Sequence, residues 1–327
     1  MARQSETAYT VRVSRPRRSC LSVPASSPKM LSKAPGLPAD QVFMDLEDSV
    51  APLEKEAARP NVVQALTEQD WGDKTVVVRI NAIDTRWAYR DVIEIVEQAG
   101  AHVHCVMIPK VQSADEVLFV DHLLRMVEES AGLEHTIGIE AQIENGTGLT
   151  NIDEIATASD RLETLIFGPG DMAAALNMPS LTVGEQVEDY PGDHWHWVLM
   201  RILVAARHAG VQAIDGPYAK IRDTEGYRKV ARLSRILGFD GKWVLHPGQV
   251  DIANEVFRPN QEEYERAEDI LEAYRQATEV DRMGAVMLGD EMIDEASRKM
   301  AEVTAKRGRA AGMTVRPAEE REAAEQG

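Results

Sequence analysis

Cysteine is nearly absent from this chain: among 327 residues only Cys20 and Cys105 occur. Both lie in apolar, strand-like runs and read as small core residues, which argues against a disulfide framework or a thiolate metal cluster. Aromatic residues are also few, at 5%. No apolar run approaches the ~20 residues that a membrane-spanning helix needs. Positive charge is outnumbered, with 36 Lys and Arg against 54 Asp and Glu and a formal net charge of −18. That balance disfavours nucleic acid or an anionic membrane as the main partner. It leaves open an anionic small ligand, which meets local charge. Residues 1–17 carry Arg12, Arg15 and Arg17 but lack the apolar core of a secretory signal. They are expected to form a basic, flexible lead-in to a cytoplasmic protein. Solenoid-length repeats are missing, and no Gly-rich phosphate fingerprint follows the first strand-like run.

What is present is an alternation. The runs CLSVP (20–24), VFMDLE (42–47), TVVVRIN (75–81), HCVMIPK (104–110), TIGIEAQIEN (136–145), TLIFGPGD (164–171), VQAIDGP (211–217) and GKWVLHP (241–247) read as strands. Amphipathic stretches such as WAYRDVIEIVEQAG and WHWVLMRILVAARHAG separate them. Continuous apolar strands between helices predict a parallel sheet buried on both faces. Eight such units over roughly 240 residues predict an α/β fold, a (β/α)8 TIM barrel, placed here at 18–258. An open doubly wound sheet, the competing architecture, usually has fewer strands. The pattern then changes. NQEEYERAEDILEAYRQATE, GAVMLGDEMID and EASRKMAEVTAKRG predict a helix, a hairpin turning at Gly289-Asp290 and a second helix, together a C-terminal lid at 259–312. Residues 313–327 are expected to be a disordered charged tail.

In such barrels the reacting groups sit at the C-terminal ends of the strands. Here those ends carry Ser22 and Ser26; Asp45, Glu47 and Asp48; Arg79 and Asn81; Lys110; Glu144 and Asn145; Asp171; Asp215; and His246. Each alone is explained by a solvated loop or a cap; a ring of them, brought together by barrel geometry, is not. Glu144 and Asp171 end neighbouring strands. Two hard oxygen ligands without a His or Cys cluster suit Mg²⁺, with Mn²⁺ as a substitute. The Gly-Pro-Gly of FGPGD lets backbone approach a ligand closely, while Asp171 also sits where it would cap the next helix. Arg79 is the cation of the ring, suited to bind a carboxylate in bidentate fashion and to stabilise oxyanion charge. It is also placed to pair with Glu47 or Asp48. Those two acids are expected as outer scaffold, orienting Arg79 or metal-bound waters, with direct ligation less favoured.

The stretches VFMDLEDSVAPLEKEAAR, VVVRINAIDT, VMIPKV, IENGTGL, FGPGDMAA, AIDGPYA, GKWVLHPGQVDIANEVF and MIDEASRKMAE run in order across about residues 18–305. In these motifs the chain resembles the malyl-CoA lyase group of the citrate lyase β-subunit-like (HpcH/HpaI aldolase) family. The resemblance implies a barrel with a C-terminal lid, Mg²⁺, and a C–C bond made or broken between an acyl-CoA and a 2-oxo acid. It places the metal ligands on Glu144 and Asp171 and the substrate-binding arginine on Arg79. The catalytic aspartate, supplied by the lid of an adjacent subunit, falls on Asp294 in MIDEAS, where the bland role is a helix N-cap. Substrate-binding positions fall on Ser22, Lys33, Gly170, Leu245 and His246. Ser22 and Ser27 stand where related lyases carry an aromatic and a basic residue, and the loop PSLTVGEQVEDYPGDHWHW looks shorter than in some of them. The implied activity is reversible cleavage of (S)-malyl-CoA to acetyl-CoA and glyoxylate, with β-methylmalyl-CoA giving propionyl-CoA and glyoxylate. The implied assembly is a homotrimer or homohexamer. A citramalyl-CoA lyase, a citrate lyase β subunit and a malyl-CoA thioesterase are the alternatives. One methyl is worth only about 1–3 kcal/mol in a pocket, so glyoxylate and pyruvate are not separated at this level.

Overall fold

The computed structural model describes residues 14–179, 181–187, 190–280, 282–317 and 321. The chain divides into two compact units, Met1–Phe257 and Arg258–Gly327. In the first, eight strands close into a parallel barrel in sequence order. They are β1 (Ser19–Pro24), β2 (Gln41–Asp45), β3 (Thr75–Arg79), β4 (Cys105–Ile108), β5 (Gly138–Ile143), β6 (Leu162–Phe167), β7 (Gln212–Asp215) and β8 (Gly241–Val244). Helices follow the strands, and the outward strand residues Val42, Met44, Val76 and Val78 join the helix layer in one continuous core. Burial on both faces is why these strands read as unbroken apolar runs.

Side chains that alternate inward fill the barrel in tiers. The middle tier is apolar: Cys20, Phe43, Val77, Cys105, Met107, Ile166, Ile214 and Trp243. Both cysteines are free and buried, as expected of small core residues. The lower tier, at the strands' N-terminal end, is polar. Arg17, 1% exposed, donates to Glu140 Oε1 at 2.9 Å, Gln41 Oε1 at 2.9 Å, Gln212 Oε1 at 2.6 Å and Glu163 Oε2 at 2.6 Å. Arg15 reaches Glu163 at 3.0 Å. This corrects the flexible lead-in for residues 14–17, because a buried guanidinium with two carboxylate partners is fixed. Gly241 permits the approach: a Cβ there would lie 1.7 Å from the Arg17 carbonyl oxygen. The rest of the lead-in, residues 1–13, lies outside the described residues.

The second unit has a helix Gln261–Glu279, started by a capping box between Asn260 and Glu263. A hairpin follows, β9 (Val286–Leu288) and β10 (Glu291–Ile293), turning at Gly289-Asp290 as the sequence predicts, with Gly289 at φ +61°. The final helix, Glu295–Ala310, packs Ala301 and Ala305 on Ala267. The expected disorder of 313–327 is corrected where residues are described. Arg316 binds the Glu265 carboxylate through its backbone N–H and guanidinium, and Arg321 pairs with Asp269 at 2.9 Å. Residues 318–320 and 322–327 lie outside the described residues. Among the described residues no helix is long and apolar enough to cross a membrane.

Candidate active site

The upper tier is the candidate site. Asp45 and Arg79 are cross-strand neighbours on β2 and β3, both facing inward. Arg79 Nε and Nη2 each lie 2.7 Å from an Asp45 oxygen. Burial works against both charges. The Asp45 charge nevertheless lifts Arg79 above its ordinary range, and Arg79 holds Asp45 below the usual carboxylate range. Arg79 was expected to offer its fork to substrate or to pair with Glu47 or Asp48. Its Nε/Nη2 edge is taken by Asp45, and the expected pairing is made by Nη1, which stands 3.3 Å from Glu47 and 3.9 Å from Asp48, with the Gln142 amide oxygen at 3.4 Å. The guanidinium carbon stands 5.1 Å from the Trp243 ring centroid, a cation–π contact with the apolar tier beneath.

Glu47 and Asp48 occupy the turn after β2. Lys55 fixes that turn by donating to the carbonyls of Leu46 at 2.9 Å and Glu47 at 2.6 Å. Glu47 is buried and Asp48 is exposed. Asp48 does not cap the following helix, whose N-cap is Glu54. Both acids bind the Lys110 ammonium, Glu47 through a very short contact and Asp48 at 3.2 Å. Lys110 has φ +54°, left-handed for a side-chain-bearing residue and costing roughly 1–2 kcal/mol. The gain is a backbone N–H directed at Glu144 Oε1, 2.7 Å away. Burial opposes the Lys110 charge, but the Glu47 hydrogen bond and the charges of Glu47, Asp48 and Asp171 hold the ammonium above its usual range.

Glu144 follows β5, 1% exposed, with Oε2 accepting from Gln142 Nε2 at 2.7 Å. Its neighbour across the strand gap is Gly168. A Cβ on Gly168 would lie 2.4 Å from both Glu144 Cβ and Oε2, so glycine is what admits this carboxylate. Asp171 is the third residue of the helix Pro169–Ala175, whose N-cap is Gly168; the cap role is therefore not the one Asp171 performs. Its side chain is 43% exposed and stands 3.9 Å from Lys110 Nζ. Burial, and then the Asp171 charge, push the Glu144 carboxyl up to about 8.

Five carboxylates (Asp45, Glu47, Asp48, Glu144, Asp171) thus share the tier with two cations, Arg79 and Lys110. The negative surplus collects at Glu144 and Asp171. That donor set fits a hard divalent cation. Among the described residues no group of three or more His, Cys, Asp or Glu is arranged to hold a metal ion, so the donor set here is the pair Glu144 and Asp171.

The remaining expected residues have plainer surroundings. Ser22 is half-buried on β1, and Lys33 is exposed at the end of the helix Pro28–Lys33. Gly170 lies in the first turn of the helix carrying Asp171. Leu245 donates its N–H to Gln249 Oε1 at 2.9 Å, and His246 accepts the Gly248 N–H on Nδ1 at 3.1 Å. Asn145 caps a short helix, as the plain reading has it, whereas Asn81, pinned by Asp91 at 2.7 Å, and Asp215, paired with Lys242 at 2.6 Å, are buried and are neither solvated loop residues nor caps. Asp294 belongs to the second unit. Its carboxylate caps the last helix, accepting from the Ala296 and Ser297 N–H groups at 3.0 Å, and the Ser297 N–H foremost keeps it below its usual range. Sequence reasoning missed Asp45 as the clamp of Arg79, and it missed Gln142. Strand alternation was the available signal, since Gln41, Phe43 and Asp45 share one face of β2 as Thr75, Val77 and Arg79 share one face of β3.

A family model described as HpcH/HpaI aldolase/citrate lyase matches residues 18–247. The L-malyl-CoA/beta-methylmalyl-CoA lyase of Cereibacter sphaeroides is 40% identical over 298 residues, covering 88% of this chain and 93% of the relative. A crystal structure of the protein CitE from Mycobacterium tuberculosis, in complex with magnesium, acetoacetate and coenzyme A, superposes with a TM-score of 0.71 at 29% identity, covering 88% of this chain and 97% of that one. A citrate lyase from Burkholderia xenovorans shares the fold, with a TM-score of 0.80 at 21% identity over 94% of this chain and 96% of that one.

Proposed function

The chain belongs to the HpcH/HpaI aldolase/citrate lyase family, and from that premise we propose that it is a Mg²⁺-dependent carbon–carbon lyase. It reversibly cleaves (S)-malyl-CoA to acetyl-CoA and glyoxylate, and β-methylmalyl-CoA to propionyl-CoA and glyoxylate. The observation that carries this reading is the charge surplus of the upper tier, gathered at Glu144 and Asp171 beside an arginine locked in place.

Glu144 and Asp171 would hold the metal, Mg²⁺ or Mn²⁺. Bound there, the metal supplies Lewis-acid polarisation of the oxo acid's oxygens. Arg79, held by Asp45, would offer its positive charge to the charge that develops on oxygen as the C–C bond changes. Because the clamp exists before substrate arrives, no reorganisation is required of it. Asp294 is the base in the condensation direction, taking a proton from the acetyl methyl so that the carbon can attack the glyoxylate carbonyl, whose oxygen becomes an alkoxide and takes a proton from water to give the hydroxyl. In cleavage the hydroxyl gives its proton to water, the C–C bond breaks as the carbonyl re-forms, and protonated Asp294 returns a proton to the carbon. Ser22, Lys33, Gly170, Leu245 and His246 contact substrate. The lid of one subunit serves the rim of another in a homotrimer or homohexamer. The exposed Met287 and Met292 of the hairpin, 60% and 66% exposed, support such docking.

The purified chain, incubated with malyl-CoA and with citramalyl-CoA in the presence of Mg²⁺, is expected to release glyoxylate and acetyl-CoA from the first. Pyruvate from citramalyl-CoA in preference, free malate without glyoxylate, or activity confined to acyl-carrier-protein substrates would each replace this reading with a named alternative. Asp294→Asn keeps the helix cap and removes the base. It is expected to lose about 10²–10⁴ in turnover with an unchanged melt. Mixed with Asp171→Ala chains under subunit exchange, it should regain activity. Silence after exchange is verified by mass removes the cross-subunit role.

A further inference from the structure

Lys110 is where the outer acids meet the two-carboxylate centre. Its N–H holds Glu144 at 2.7 Å, and its ammonium binds Glu47, lies 3.2 Å from Asp48 and stands 3.9 Å from Asp171. One residue therefore touches acids that follow three different strands, β2, β5 and β6. The surplus of carboxylates also poses a difficulty for catalysis. A divalent cation surrounded by hard oxygen donors takes as many as its geometry allows, and a cation fully ligated by protein has no position left for substrate. Glu47 and Asp48 are the donors placed to make that mistake, because Asp45 is committed to Arg79 through both oxygens at 2.7 Å, whereas Glu47 meets Arg79 at 3.3 Å and Asp48 at 3.9 Å.

We propose that Lys110 is a positioning residue that keeps Glu47 and Asp48 off the metal and so reserves the metal's open positions for substrate. This rests on the reading above that Glu144 and Asp171 hold the cation. The left-handed backbone serves the same end. It sends the N–H to Glu144 and the side chain to the outer acids, so the ligand is steadied while its rivals are occupied. Removing the ammonium alone should therefore tighten metal binding, whereas a residue that merely supported the site would loosen it when lost.

Lys110→Gly retains the left-handed backbone and its N–H and deletes the ammonium; Lys110→Asn, which also tolerates that conformation, is the second variant should the first melt poorly. The full chain, stripped by chelator, is titrated with Mn²⁺ alone. Free Mn²⁺ is followed by electron paramagnetic resonance, and water on the bound ion by proton relaxation. Wild type is expected to bind an ion that Asp171→Ala does not. Lys110→Gly and Lys110→Asn are expected to bind it about tenfold more tightly, with less relaxation enhancement per bound ion because carboxylates replace water. Adding Glu47→Gln and Asp48→Asn to Lys110→Gly should bring affinity back to within about twofold of wild type. Equal or weaker binding by the single variants overturns the proposal, as does tightening that persists in the triple variant. If Asp171→Ala still binds the ion, the metal-centre reading itself has failed and this inference falls with it; the titration of that variant tells the two failures apart.

Discussion

At the N-terminal end of the barrel interior Arg17 is surrounded by Glu140, Glu163, Gln41 and Gln212. At the C-terminal end Arg79 is surrounded by Asp45, Glu47, Gln142 and Glu144. The parts are alike: one buried arginine, glutamines that bridge, carboxylates from the strands. Their charge is not. Below, Arg15 joins Arg17 against two glutamates, and the cluster is matched. Above, two cations face five carboxylates, and Glu144 is pushed up to about 8 by burial and by Asp171. A matched buried cluster is costly to break, and an unmatched one is a candidate ligand site. The apolar tier of Phe43, Val77, Met107 and Trp243 lies between the two.

Breaking the upper end should abolish chemistry and spare the fold. Asp171→Ala is expected to lose at least about a thousandfold in turnover. Its metal-free melting temperature should not fall below that of wild type, because the change removes a like charge from beside Glu144. Breaking the lower end should do the reverse. Arg17→Met leaves Glu140 buried without its partner, at about 3–5 kcal/mol. The expected result is a melting temperature lower by roughly 10 °C with unchanged turnover per folded molecule. Loss of turnover without a lower melt would erase the distinction between the two ends. Arg79→Lys keeps the charge of the upper end but cannot hold both Asp45 oxygens as a planar fork. A fall of about a hundredfold in the rate of C–C cleavage is expected, read as kcat at saturating metal. The smallest effect belongs to the tier between. Trp243→Phe keeps an aromatic floor under Arg79 and weakens a cation–π contact worth about 0.5–1 kcal/mol, so turnover should change by only a few-fold.

The barrel was legible because its strands are buried on both faces, which writes them into the sequence as apolar runs, and because eight such runs leave few other topologies. The carboxylates Glu144 and Asp171 were legible for a related reason: an ionisable residue ending an apolar strand is conspicuous. Arg17 was not, since its partners Glu140 and Glu163 lie 123 and 146 residues away and no local pattern announces them. Asp45 sat among three neighbouring acids with nothing in composition to single it out. Only the register Asp45↔Arg79 does that, and register between parallel strands depends on the whole closure of the sheet. The left-handed Lys110 is invisible for a different reason, because its conformation is imposed by contacts to other strands and not by any preference of lysine.

Gly168 offers a means of sorting relatives. With a Cβ bound to fall 2.4 Å from Glu144, the position tolerates no side chain while that carboxylate keeps its place. A related chain that retains the glutamate but carries alanine or anything larger at this point must hold its carboxylate elsewhere. In genome surveys such chains belong in a separate bin, as candidates for lost or altered metal dependence. A saturation library would expose the same division, with position 168 as unforgiving as position 144 under selection for turnover and far more permissive under selection for expression alone.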